Sequence, residues 1–290
     1  MENQSPGYYK RRVSAIFIFA IIFMFIGRNL SFIPKINLYD NKTASLNLDT
    51  QKIIKNKPGF YSVYYKDLKT GASFGIAENQ IETGASVSKV PIVASLYYLA
   101  GKGQINLDEK ITIQKNEVQD YGTGSLRYQT FPFNVSLRNL ARLSLQQSDN
   151  TAAHIISVRI GTDKIQNLVN SWRMSQTDMV NNQTTTYDMS LIFEKIYAGK
   201  IANPSLTKEL LGFMTNTDFE DRLPKDLPKN VTAYHKVGDG DGFVHDVGII
   251  KTDKDAYYLG IMTSDVSGNE TGTKDIIGQI SKKIYDDLND

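Results

Sequence analysis

The sequence predicts an α/β fold with an all-α portion. A mostly antiparallel five-stranded sheet is covered by terminal helices and interrupted by an inserted helical subdomain. Two observations predict it. β-rich runs separated by short polar turns lie at both ends of the folded part. Between them, over about residues 86–225, apolar residues recur at helical spacing behind residues suited to cap helices.

The elements follow in chain order. Residues 1–12 end in Lys10, Arg11 and Arg12, and residues 13–27 carry no charge. With the "NLSFI" that follows Arg28, the apolar segment 13–33 approaches the roughly 20 residues that span a bilayer. The preceding cations put residues 1–12 in the cytoplasm and everything after the span outside. No A-x-A-like site follows the run, which favours an uncleaved anchor in the cell membrane over a cleaved signal peptide. Residues 34–45 read as a polar tether, and residues 46–290 as the folded domain. "GFYSVYYKDLKTGASFGI" reads as a hairpin turning at Gly71. "VTAYHKV", "FVHDVGIIKT" and "AYYLGIMTS" read as three further strands. The last segment puts Ile276, Ile277, Ile280 and Ile284 on one helical face that can cover the sheet. In the middle, Ser136, Thr162 and Thr186 are candidate helix caps.

Composition narrows the chemistry. The 290 residues include no cysteine, which excludes disulfides, thiolate catalysis and cysteine-based metal centres. A net charge of +2 offers no basic surface for nucleic acid. No cofactor is called for, and a monomer is expected. The three histidines form no metal-ligand spacing; His154 reads as structural, while His235 and His245 fall on predicted strands. "DGDG", residues 239–242, reads as a turn, because no acid closes a calcium-loop pattern. "YGTGSLRY", residues 121–128, lacks the lysine of a phosphate-binding loop.

Three short motifs carry reactive groups. Ser86 precedes Lys89 by three residues, so the two share a helical face at a helix start. A buried neutral lysine there can take the serine's proton. Ser-x-x-Lys is common by chance, and Ser205 to Lys208 is a second copy in which Ser205 reads as a plain cap. Ser148, Asp149 and Asn150 fall between two helical stretches. There a hydroxyl can relay a proton and an amide can hold a substrate carbonyl, while Asp149 or Asn150 caps the next helix. The third group is a cation on a sheet edge. The literal Lys69-Thr70-Gly71 lies in the hairpin turn before Ser86, away from the cleft; Lys236-Val237-Gly238 closes a strand and is better placed.

Taken in order, these motifs resemble the class A β-lactamase and penicillin-binding-protein superfamily, with its S-x-x-K, S-D-N and K-T-G signature. The resemblance runs over about 46–290 and includes "YGTGSLRYQ", "NQTTTYDMSLIFEKIYAGK" and "DFEDRLPKDLPKNVTAYHKVG". It implies a β-lactamase-like fold and a serine hydrolase that opens β-lactam amides through an acyl-serine. A D-alanyl-D-alanine peptidase, or a non-hydrolytic penicillin-binding sensor or cell-wall-binding module, is the alternative. The expected partner is a β-lactam or a peptidoglycan peptide. By position, Ser86 is the nucleophile, Lys89 its base, Ser148 the proton donor to the leaving nitrogen, and Lys236 its polarising cation. Asn150 would hold the substrate's amide side chain, and Tyr121 would flank the cleft. Backbone N–H groups of Ser86 and Asp239, beside Gly238, would form the oxyanion hole.

Two departures stand out. The family's omega-loop glutamate, which activates the deacylating water, has no counterpart in "RMSQTDMVNNQ", where Asp178 is the only acid. Val237 replaces the threonine or serine whose hydroxyl helps bind the substrate carboxylate. Arg222 is a further cation expected near the site, in either a binding or a structural role.

Overall fold

Four long strands have almost no solvent-facing residues along their middles, which indicates a sheet covered on both faces. The structure is a computed structural model and describes residues 38–289. The five-stranded sheet is assembled from β1 (Phe60–Asp67), β2 (Ser73–Ile76), β7 (Thr232–Gly240), β8 (Phe243–Lys251) and β9 (Ala256–Ser264). Their spatial order is β2-β1-β9-β8-β7, and every neighbouring pair is antiparallel. The sheet is thus built from both ends of the domain, as the pattern of runs predicts.

Its two faces carry separate cores. On one, Tyr61, Val63, Leu259 and Ile261 meet Leu46 of α1 (Leu38–Ile54) and Ile276, Ile277, Ile280 and Ile284 of α8 (Glu270–Asn289). On the other, Tyr64, Val247, Tyr258 and Met262 meet the helical layer. That layer comprises α2 (Lys89–Gly101), α3 (Leu137–Gln146), α4 (Asn150–Ile160), α5 (Thr162–Ser171), α6 (Thr186–Tyr197) and α7 (Pro204–Gly212). Alternate residues of each strand supply the two cores, as the pleat requires.

Several expectations are corrected. Of the polar tether expected over 34–45, residues 38–45 are helix, because α1 begins at Leu38, and residues 34–37 lie outside the described residues. Its Lys, Asp and Asn residues hide the helix, but Leu46 is buried and anchors it. The inserted subdomain is not purely helical. A ladder of β4 (Lys110–Ile113) and β5 (Phe133–Ser136) lies within it, and β6 (Gln183–Thr184) pairs with β3 (Glu82–Thr83). Strands of two to four residues are too short to show a period. Ser136 caps α3 as expected, accepting from Asn139 N. The caps of α5 and α6 lie one residue earlier than expected, at Gly161 and Thr185 rather than Thr162 and Thr186. Asn203, not Ser205, caps α7, and Ser205 and Lys208 are both exposed. The membrane span expected over 13–33, and residues 1–12 before it, lie outside the described residues. Among the described residues no helix is long and apolar enough to cross a membrane.

Candidate active site

The site lies where the helical layer meets β7, an edge strand of the sheet. Ala85 takes a left-handed φ of 45° and starts a short 3-10 turn, Ala85–Ser88, that runs directly into α2. Ser86 and Lys89 therefore sit one turn apart, with Lys89 Nζ 3.0 Å from Ser86 Oγ. The loop between α3 and α4 turns at Ser148, whose φ is 53°. Left-handed backbone at two non-glycine residues beside one cleft is strain of the sort found at functional sites. The loop is held by Asp149, whose carboxylate accepts Ala152 N and Leu126 N, each at 2.9 Å. Asp149 is thus the cap of α4 and also the tie to the segment 121–128. Thr123 of that segment donates to Ser148 O at 2.9 Å.

Lys89 Nζ then reaches three further oxygens: Ser148 O at 2.5 Å, Asn150 Oδ1 at 2.6 Å and Ser148 Oγ at 3.1 Å. From the sheet side, Lys236 donates to Ser148 Oγ at 2.9 Å and to Val237 O at 2.9 Å. Ser86, Lys89, Ser148, Asn150 and Lys236 thus form one hydrogen-bonded group. Asn150 Nδ2 donates to Tyr121 O, which places exposed Tyr121 at the cleft mouth. At Gly238 an added Cβ would stand 3.3 Å from both Ala85 Cβ and Gly84 O, so glycine lets β7 approach the turn that carries Ser86. Further along β7, His235 N donates outward from the sheet, to Met214 O. By the two-residue repeat, Asp239 N–H also points off the sheet edge, beside the cleft. The cleft encloses about 710 Å³, within the usual range for small-molecule sites.

Burial sets the electrostatics. Lys89 is 6% exposed, and burial lowers its pKa to about 7 despite the opposing charge of Asp149. Lys236 is pushed well below the ordinary lysine value, first by burial and then by Lys89. His235 and His245 flank this strand pair without entering the cleft. Burial lowers His245 to about 4; its Nε2–H donates to Thr83 O, and its Nδ1 accepts Thr263 N. For His235 burial opposes the charge, but Asp246 and Glu220 outweigh it and raise the pKa to about 9.

Of the other residues singled out in the sequence, only His154 departs from its expected place. Arg222 is completely buried and held by Asp239, with Nη1 and Nη2 on the two carboxylate oxygens at 2.7 and 3.0 Å. Asp178 turns into its own loop, accepting Val180 N and Asn181 N. His154 is an exposed residue lining the cleft, not a packed one. The Lys69 copy lies on the hairpin turn, where Lys69 pairs with Asp255. Among the lining residues that the sequence did not mark are Ser88, Met179, Asn182 and Phe219. Ser88 Oγ donates to Asn182 Oδ1 at 2.5 Å, while Lys236 Nζ lies 5.8 Å from the Phe219 ring centre. These partners are distant in sequence, and no local motif marks them.

A serine hydroxyl with a buried amine beside it, and a second hydroxyl between two amines, match the parts of a serine acyl-transfer enzyme. The model of the beta-lactamase enzyme family matches residues 45–288, and the chain belongs to that family as a serine β-lactamase-type hydrolase. It is 25% identical over 231 residues to a beta-lactamase of Bacteroides uniformis, covering 69% of this chain and 77% of that one. Among solved structures it is similar to a leucine-to-glutamate mutant of PBP-A in an acyl-enzyme complex with penicillin G. The TM-score there is 0.79 at 26% identity, over 85% of this chain and 97% of the other. TLA-3 extended-spectrum beta-lactamase shares the fold, with a TM-score of 0.80 at 21% identity over 85% and 99% of the two chains.

Proposed function

We propose that the chain opens β-lactam amides through an acyl-Ser86 and releases the acyl group slowly. The observation that carries this reading is the position of Lys89 Nζ, within 3.1 Å of both the Ser86 and Ser148 hydroxyls. Neutral Lys89 takes the Ser86 proton as Oγ bonds to the carbonyl carbon. The backbone N–H groups of Ser86 and Asp239 receive the developing oxyanion; one such donor is typically worth about 3 to 4 kcal/mol. When the C–N bond breaks, Ser148 gives its proton to the leaving nitrogen and recovers one from Lys89. Lys236 holds Ser148 Oγ and favours that transfer. In net, Ser86 loses one proton and the nitrogen gains one through Ser148, and Lys89 returns neutral.

Slow release rests on the cleft wall. Among the described residues that line the cleft there is no glutamate, and its one acid, Asp239, is bound to Arg222. The same observation favours a second reading, a D-alanyl-D-alanine peptidase that penicillins trap. Following adduct mass and released product together distinguishes the two. Repeated turnover with a transient adduct supports a lactamase. A lasting adduct with no released product supports the peptidase.

The N-terminal segment supports a membrane-anchored, extracytoplasmic placement by its apolar length and leading cations. Deletion of residues 1–33 should move the chain from the membrane fraction to the soluble one, and unchanged fractionation would contradict the anchor.

A further inference from the structure

The acyl-serine reading leaves open which amides the cleft accepts, and the leaving-group end of the cleft is informative. Val237 and Asp239 are two apart on β7, share a face, and both line the cleft next to Lys236 and Ser148. The Asp239 side chain is 43% exposed, whereas the Arg222 side chain behind it is fully buried. Both guanidinium NH₂ groups of Arg222 are committed to Asp239; Nη1 also bonds His245 O, and Nε bonds Asp221. Four of the five N–H donors of Arg222 are thus engaged, and its fully buried side chain is shut off from an incoming anion. Val237 offers no hydroxyl, and Lys236 is buried and already donates to Ser148 Oγ and Val237 O. What faces the substrate is a half-exposed carboxylate.

We infer that Asp239 is a specificity-determining residue that disfavours a carboxylate beside the leaving nitrogen and selects neutral or cationic groups there. The inference rests on the acyl-Ser86 reading. It makes the preferred substrates amides whose leaving side is esterified, amidated, extended or amine-bearing. A carboxylate substrate must approach like charge, or displace Asp239 from a bidentate pair whose geometry it can only equal.

A penicillin and its methyl ester differ only in that carboxylate, and they are the probes. Acylation of the full chain by each is followed by intact mass. The wild type should acylate with the ester at least as fast as with the acid. In Asp239→Asn the acid-to-ester rate ratio should rise about tenfold, as for removal of one nearby like charge. A second measurement needs no variant: in the wild type, the same ratio should rise between low salt and about 1 M salt, where screening acts within about 3 Å. This arm decides the matter if Asp239→Asn fails to fold. A wild type that prefers the acid, or a ratio unmoved by both substitution and salt, overturns the inference while leaving the acyl-serine reading intact. No Ser86 adduct with either probe overturns that reading and this inference with it.

Discussion

Lys89 shows how one residue's surroundings set its chemistry. Its two neutral N–H bonds can go to Ser148 O and Asn150 Oδ1, both without protons to give. The lone pair is then left for the Ser86 hydroxyl at 3.0 Å. With a pKa lowered to about 7, Lys89 is available as a base near neutrality. The acylation rate should therefore rise with pH through about 7 and level off above it, in stopped-flow measurements with a chromogenic β-lactam. Lys89→Ala should lower that rate by about 10² to 10⁴ and remove the inflection. His235 works in the opposite direction and on stability. Its folded pKa of about 9 exceeds the ordinary 6.5, because Asp246 and Glu220 outweigh burial. The stability it contributes is complete below 6.5 and is lost as pH rises through about 9. Lys89, with its lowered pKa, adds an opposite slope. The check is therefore a difference: urea midpoints of the wild type minus those of His235→Gln should shrink across that window.

At the scale of elements, β7 and three turns make the site. β7 carries Lys236, Gly238 and the outward N–H of Asp239; the turn before α2 carries Ser86; and the α3–α4 loop carries Ser148. The third turn, between α5 and α6, brings Met179 and Asn182 into the cleft but no carboxylate. A glutamate placed there should supply the missing base. Met179→Glu should shorten the lifetime of the penicillin adduct about tenfold or more, read by the decay of adduct mass; an unchanged lifetime would show that the missing carboxylate does not limit release. Much of this was legible in the sequence. Long strands bounded by turn residues, and motifs in the right order, marked the sheet and the Ser86, Lys89, Ser148, Asn150 and Lys236 group. The Lys69 decoy was separable by its place in a hairpin. What was illegible is non-local. The β3–β6 pairing, the Ser88–Asn182 bond and the Arg222–Asp239 pair join residues with no sequence relation. Helix starts shifted by one residue because adjacent residues, such as Thr185 and Thr186, cap equally well by composition.

For the whole molecule, the site depends on two cores sharing one sheet. Helices α1 and α8 seal one face through Leu46, Ile277 and Ile280, and α2 and α6 seal the other through Val93, Phe193 and Ile196. Each layer supplies part of the reactive group, so Lys236 from the sheet and Lys89 from the helices meet at the single hydroxyl of Ser148. The central claim is that this meeting point serves acyl transfer to Ser86. Intact-mass spectrometry of the full chain and of Ser86→Ala, each incubated with a penicillin, tests it most directly. The account predicts an adduct of the whole antibiotic's mass on the wild-type chain and none on the variant. A wild-type chain without an adduct, or an adduct that survives Ser86→Ala, would contradict it.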